Sequence, residues 1–127
     1  MLQLKSSGSV KTISLNRTEV IKALEIIASR IHAEHPEVKS IRLFGSIATG
    51  DHVGTSDADI LIILNREAAC DFLESIRLFY GYFKLPIPVD VLVYNEDQIA
   101  KRLQSGDTEF ERILGKSLEL LGGQATQ

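Results

Sequence analysis

Five consecutive apolar residues, at positions 60–64, follow directly after Asp59 in this chain. A short apolar run of this length is typical of a strand, and because side chains alternate along a strand, both of its faces are apolar. The run at residues 89–94 is largely apolar in the same way. Strands with two apolar faces are buried beneath helices, so we expect a sheet that helices cover on at least one side.

Apolar periodicity predicts the other elements around this sheet. Strands are predicted at residues 38–44, 58–64 and 89–94, and helices from Asn16 to the residue before Pro36 and at 66–84, 96–104 and 108–121. This order predicts an α/β (α+β) fold with a mixed sheet of about three to five strands flanked by helices. The helix at 66–84 is expected to pack through one face, which carries Phe72, Leu73, Ile76 and Phe79/Tyr80. Asn16 and Glu19 form a plausible capping pair for the first helix, and Gly122-Gly123 is expected to end the last one.

Length and composition narrow the class of protein. The 127 residues fit one domain, with residues 1–15 as an arm or edge hairpin and residues 124–127 as a frayed tail. A net charge of −3 argues against a basic surface, so no direct binding of nucleic acid is expected. The single cysteine, Cys70, is expected to be a small core residue in a reducing cytosol. No signal peptide or apolar stretch of ~20 residues is visible, which favours a cytoplasmic protein with no membrane partner.

Three aspartates lie in or next to the predicted apolar strands, where charged residues are not expected. Asp57 and Asp59 point to the same side of the predicted strand because side chains alternate with period two. Asp90 interrupts the next apolar strand, and it lies beside the other two if these strands are neighbours. Converging carboxylates repel one another unless a cation lies between them, and Mg²⁺ prefers such oxygen ligands. The sequence therefore predicts a metal site formed by Asp57, Asp59 and Asp90.

A glycine and a serine follow the first predicted strand, at Gly45 and Ser46. Glycine at the end of a strand lets the backbone approach a phosphate, and the amides that follow can point at that phosphate. The Ser46 hydroxyl adds a hydrogen bond, and a helical turn beginning at Ile47 would strengthen the anion site. A metal site and a phosphate cradle together predict nucleotidyl transfer.

The pattern Leu43-Phe44-Gly45-Ser46, ten residues, then Asp57-Ala58-Asp59, resembles the signature of the DNA polymerase β-like nucleotidyltransferase superfamily. The size of the chain and the later Asp90 resemble the minimal branch of this superfamily, the MntA-like partner in HEPN/MNT toxin–antitoxin pairs. The resemblance implies that Gly45 and Ser46 hold the triphosphate of ATP and that Asp57 and Asp59 bind Mg²⁺, with two ions in the site. It implies that Asp90 completes the metal site and helps deprotonate the acceptor hydroxyl. Many members carry an arginine near the second glycine of the motif, where this chain has Ala48-Thr49-Gly50.

This resemblance implies an enzyme that transfers AMP from ATP to a hydroxyl of a partner protein, a tyrosine of a HEPN toxin, and so acts as an antitoxin. Only about 30 residues follow the strand of Asp90, so a partner chain is expected to supply the acceptor surface, in a homodimer or a hetero-oligomer. Two alternatives stay open. One is transfer to a small molecule such as an aminoglycoside, and the other is a non-catalytic antitoxin that neutralises its partner by binding.

Four further residues invite a functional interpretation. Arg42 and Arg66 lie close to the motif strands and could neutralise phosphate, but surface charge is the preferred interpretation for both. His32 and His35 are three residues apart on a predicted helix, and without a third ligand nearby they are expected to be surface residues.

Overall fold

A computed structural model describes residues 17–50, 57–69 and 71–120 of the chain. The predictions for residues 1–15, Asn16, Cys70, Gly122-Gly123 and the tail at 124–127 lie outside the described residues. Within the described residues, no helix has the length and apolar character that a membrane crossing requires.

The described chain forms five helices and four strands around one mixed sheet, which confirms the predicted fold class. The elements in chain order are α1 Arg17–Glu34, β1 Val38–Phe44, α2 Ser46–Thr49, β2 Ala58–Leu64, α3 Phe72–Tyr80, β3 Val89–Asn95, α4 Glu96–Gln104, α5 Thr108–Gly115 and β4 Leu118–Glu119. Strand β1 lies between β2 and β4 and is antiparallel to both, whereas β2 and β3 run parallel, so the order is β3-β2-β1-β4.

Helices cover both faces of the sheet, as the two-sided apolar strands require. On one face, Leu24 and Ile31 of α1 and Phe79 of α3 pack with alternate residues of β1, β2 and β3. On the other face, Ile99 of α4 and Phe110 of α5 pack with a smaller cluster around the buried Leu61 of β2. Asp59 precedes Leu61 by two residues and therefore shares this second face.

Helix α3 is shorter than the predicted span of residues 66–84. The Asp71 carboxylate accepts a hydrogen bond from the Glu74 backbone amide at 3.1 Å, and this cap begins the helix at Phe72. Residues 66–68 form a turn instead. The predicted packing face is correct for Phe79 but wrong for Leu73 and Tyr80, whose exposed fractions are 68% and 53%. A helix of nine residues has room for only a narrow buried stripe.

The C-terminal helix also ends earlier than predicted, at Gly115 rather than residue 121. The chain then adds β4 to the sheet edge, where Glu119 pairs with Arg42 and Leu118 with Leu43 of β1. The Arg42 guanidinium donates to the Ser117 hydroxyl and forms an ion pair with Glu119 at 3.2 Å. These contacts are formed with a distant strand, so the helical pattern of this segment does not reveal them.

Candidate active site

The parallel register of β2 and β3 brings two of the three predicted aspartates side by side. Asp59 and Asp90 are register partners at the beginning of their strands, and the Ala58 amide donates to the Pro88 carbonyl just before them at 2.9 Å. Asp57 lies two residues before Asp59, directly ahead of β2. Asp59 is half-buried, whereas Asp57 and Asp90 are exposed. Asp90 is exposed although the residues on either side of it, Val89 and Val91, are buried.

The electrostatics of this cluster centre on Asp59. Burial first, then the charges of Asp90 and Asp57, and finally a side-chain hydrogen bond with Asp90, raise the pKa of Asp59 from 3.8 to about 6. Within the described ranges, no three His, Cys, Asp or Glu side chains are arranged closely enough to hold a metal ion as they stand. The chemistry of the three carboxylates nevertheless suits a divalent cation, since their mutual repulsion is what such a cation offsets.

The raised pKa of Asp59 predicts a pH dependence of stability in the presence of a chelator. Between 3.8 and about 6, the folded protein keeps a proton on Asp59 that the unfolded chain has released. Stability from this group is therefore complete below 3.8 and is lost as the pH rises through about 6. We expect the Tm of Asp59→Asn minus that of the wild type to increase across this window, measured by thermal melts in EDTA. A Tm difference that stays constant with pH would contradict the raised pKa of Asp59.

Gly45, a residue of the predicted phosphate cradle, lies directly beside the Asp59 carboxylate. Its φ of 85° lies in the left-handed region, and it precedes the short helix α2 as its N-cap. A Cβ added at this position would overlap the Asp59 Oδ2 atom and lie 3.1 Å from its Cγ. The glycine is therefore required for the close approach of Asp59 as well as for the predicted approach of a phosphate. Amides in the first turn of α2 lack intrahelical acceptors, and they follow Gly45 directly.

Substitution of Gly45 by alanine is expected to destabilise the fold through both effects. The positive φ costs ~1–2 kcal/mol for an L-residue and the overlap ~1–3 kcal/mol, which together lower the free energy of unfolding by about 2–5 kcal/mol. Gly106→Ala is the matched control, because Gly106 has the same φ of 85° but nothing within 4 Å of the added Cβ. Urea denaturation of both variants checks the difference. Equal losses would show that the Asp59 contact is unimportant.

Arg17 supports the cradle from the beginning of α1, and no sequence motif singled it out. Its Nε donates to the Ile47 carbonyl at 2.7 Å, and its Nη2 donates to the Ala48 carbonyl at 2.9 Å. These carbonyls belong to α2, whose last carbonyls have no intrahelical donors. The guanidinium thereby fixes the orientation of the turn that begins at Ser46. Arg17 and Ile47 are 30 positions apart in the chain, which explains why sequence spacing could not reveal this contact.

Two clefts meet at the carboxylate pair. The first, which we call the Gly45 cleft, has a volume of about 400 Å³ and is lined by Phe44, Gly45, Ser46, Thr49, Asp59, Glu109, Arg112, Ile113 and Lys116. The second, which we call the Asp90 cleft, has a volume of about 480 Å³ and is lined by Phe44, Asp59, Ile76, Tyr80, Val89, Asp90, Val91 and Leu92. Phe44 and Asp59 line both clefts. The arrangement provides separate spaces for two ligands on either side of Asp59.

Arg42, Arg66 and His35 make structural contacts outside both clefts. Arg42 pairs with Glu119, and Arg66 pairs with Asp97 at 2.9 Å, in agreement with surface charge rather than phosphate binding. His35 is half-buried, and its ring nitrogens lie 3.2 Å from a Glu37 oxygen and 3.1 Å from the Tyr82 hydroxyl. These contacts give His35 a structural role. Arg112 and Lys116 are the cleft residues that sequence analysis missed, since β4 brings them to the site.

Comparison with known proteins agrees with this geometry. A family model described as a nucleotidyltransferase domain matches residues 24–114. A protein from Sulfolobus solfataricus described as a nucleotidyltransferase has a similar fold, with a TM-score of 0.58 and 22% identity over 67% of this chain and 75% of that chain. A toxin–antitoxin structure with AMP-PNP gives a TM-score of 0.48 and 22% identity over 85% of this chain and 74% of that one. No curated protein sequence gives a significant match.

The family match covers most of the chain, from the middle of α1 to the end of α5. It includes the Gly45-Ser46 turn, the three aspartates and both strands that carry Asp59 and Asp90. The predicted nucleotidyltransferase relationship is thereby confirmed, while the minimal antitoxin branch stays a prediction. The chain belongs to the nucleotidyltransferase domain family.

Proposed function

We propose that this protein transfers AMP from ATP to a hydroxyl group of a partner protein. The observation that carries the proposal is the position of the Asp59–Asp90 pair between two clefts, one of which contains the Gly45-Ser46 turn. A transferase needs a donor site and an acceptor site that share the reacting groups. Asp59 lines both clefts and therefore lies where donor and acceptor would meet.

The Gly45 cleft is the proposed donor site. Ser46 can donate its hydroxyl proton to a phosphate oxygen, and the first amides of α2, which lack intrahelical acceptors, are further donors next to Gly45. Arg17 holds the far end of α2, so these donors keep their orientation without a ligand. Donors that are oriented in advance stabilise charge on a reacting phosphate without a cost of reorganisation.

The transfer forms one bond and breaks one bond. The acceptor hydroxyl oxygen attacks the α-phosphorus of ATP, and the bond between that phosphorus and the oxygen leading to the β-phosphate breaks. Pyrophosphate leaves with the electron pair of the broken bond. The proton of the acceptor hydroxyl passes to the Asp90 carboxylate, which is exposed at the wall of the Asp90 cleft.

Asp57, Asp59 and Asp90 are the proposed ligands of Mg²⁺, with two ions expected in the loaded enzyme. The bound metal would supply positive charge against the carboxylates and the phosphate oxygens. Burial and then the charges of Asp90 and Asp57 raise the pKa of Asp59, and the repulsion among these carboxylates supports this assignment because a cation offsets it.

The Asp90 cleft supports a protein as the acceptor. Its wall carries Ile76, Leu92 and the half-exposed Tyr80, a surface suited to an apolar or aromatic side chain. Leu73 lies one turn before Ile76 on the same helix and is 68% exposed, so apolar surface continues beyond the cleft. Large exposed apolar residues beside a cleft favour protein contact over a strongly polar small molecule. A tyrosine of a HEPN-type toxin, which the sequence resemblance implies, fits this surface.

The test combines the purified protein with α-labelled ATP, Mg²⁺ and the product of a neighbouring HEPN gene. We expect label on the partner with the wild type and none with Asp59→Asn. Mass spectrometry of the labelled partner would then identify the modified side chain as tyrosine. Omission of Mg²⁺ is expected to remove the label as well.

Two other outcomes would overturn the proposal. Label on an aminoglycoside or another small hydroxyl compound, with none on the partner, would assign a small-molecule transferase. A stable complex without any transfer would assign a binding module that neutralises its partner by contact. Each outcome selects one of the alternatives that the sequence leaves open.

A further inference from the structure

Two basic side chains, one in α5 and one just after it, line the Gly45 cleft, although the motif at residues 45–50 contains no basic residue. Arg112 lies in the last turn of α5, and Lys116 is the C-cap residue that directly follows the helix. Both line the cleft together with Gly45 and Ser46. The positive charge near the predicted phosphate cradle therefore comes from a distant part of the sequence.

The pairing of β4 with β1 explains how these side chains reach the cleft. Leu118 pairs with Leu43 in an antiparallel register, so the residues before Leu118 run alongside the chain that continues from Leu43 to Gly45. Lys116 lies two residues before Leu118, and Gly45 lies two residues after Leu43. Both are therefore the same number of residues from the Leu118–Leu43 pair. The Ser40 hydroxyl donates to Glu119 at 2.9 Å and Arg42 donates to Ser117 at 2.5 Å, and both bonds hold this segment against β1.

Arg112 and Lys116 differ in the ion pairs that they form. Arg112 Nη2 lies 3.3 Å from a Glu109 oxygen, in an exposed pair one turn apart. Among the residues that the structure describes, no ion pair engages Lys116. An exposed ion pair contributes little to stability, so Arg112 can exchange Glu109 for a more highly charged anion at small cost. Asp59 and Glu109 line the same cleft and disfavour an anion that has no basic partner there.

We propose that Arg112 and Lys116 bind the terminal phosphates of the nucleoside triphosphate and so select a triphosphate over a monophosphate. The inference rests on the proposed function, because it requires the nucleotide to occupy the Gly45 cleft. Guanidinium and ammonium groups form strong, charge-assisted hydrogen bonds with phosphate oxygens. The β- and γ-phosphates carry most of the negative charge of ATP and would extend from Ser46 along α5.

The test compares ATP and AMP affinity in Lys116→Met and Arg112→Gln by titration calorimetry with Mg²⁺. We expect each variant to bind ATP about tenfold more weakly or worse, with AMP affinity unchanged, because AMP lacks the terminal phosphates. Inorganic tripolyphosphate should compete with ATP for the wild type and lose this ability in the variants. Glu109→Gln is expected to tighten ATP binding, because it removes a negative charge and releases Arg112.

Lys101→Met is the matched control, since it removes an exposed lysine of α4 that lies outside both clefts. It should leave ATP and AMP affinity unchanged. Normal ATP binding by both cleft variants would overturn this inference and leave the proposed function intact. Equal weakening of ATP and AMP would also overturn it, because that result indicates general damage to the cleft. Failure of the wild type to bind ATP at all would overturn the proposed function and this inference together.

Discussion

Replacement of Asp59 by asparagine is expected to abolish nucleotidyl transfer while the protein stays folded. Asp59 lies at the meeting point of both clefts and is the carboxylate whose pKa responds to both of the others. Asparagine keeps the size of the side chain but removes a negative charge and an anionic metal ligand. Charge stabilisation by a bound metal is worth several kcal/mol, so we expect transfer to fall by about 1,000-fold or more. The measurement is the initial rate of label transfer from ATP.

The same variant is expected to be more stable than the wild type when no metal is present. The substitution removes the cost of burying a charge and the repulsion from Asp90 and Asp57, which together raise the pKa of Asp59. An asparagine amide can also donate to the Asp90 carboxylate and replace the proton that the pair shares. Asp97→Asn, an exposed residue paired with Arg66, is the control for loss of one carboxylate. A normal transfer rate for Asp59→Asn would exclude the assigned site.

The strands could be predicted closely because their signals are local. Residues 38–44 and 58–64 are strands as predicted, and β3 extends only one residue further, to Asn95. Asn95 ends the strand because it caps α4, with its side chain accepting from the Gln98 amide at 2.8 Å. The shared side of Asp57 and Asp59 stays a prediction, because Asp57 lies just ahead of β2. Long apolar runs bounded by polar residues leave little choice of element or face.

The missed features depend on contacts between distant parts of the chain. Sequence periodicity extends the last helix to residue 121, but pairing of Leu118 with Leu43 makes a strand after Gly115. That pairing brings Lys116 to the Gly45 cleft, so the basic side of the site was not foreseen. Arg17 was missed for the same reason, because its partners Ile47 and Ala48 are remote in sequence. Tertiary pairing overrides local propensity at these positions.

Asp90→Asn is expected to separate chemistry from binding. Asp90 is exposed on an edge strand, so its replacement should leave the core unchanged. The Gly45-Ser46 turn and α5 lie on the other side of Asp59, and Asp90 does not line their cleft. We therefore expect measurable ATP affinity in the variant. Asparagine cannot take up the proton of the acceptor hydroxyl as a carboxylate does. We therefore expect the rate of transfer to fall by a factor of ~100 or more.

The cellular result of this substitution distinguishes an enzyme from a binding module. The charge of one side chain changes at the cleft wall while the apolar surface of α3 beside it, with Leu73 and Tyr80 exposed, stays as it is. A partner that docks on that surface should still form a complex, which co-purification would show. If the protein protects the cell by modifying its partner, the variant should fail to protect at normal expression. Full protection by Asp90→Asn would instead show that contact alone suffices, because the complex would then neutralise the partner without transferring AMP.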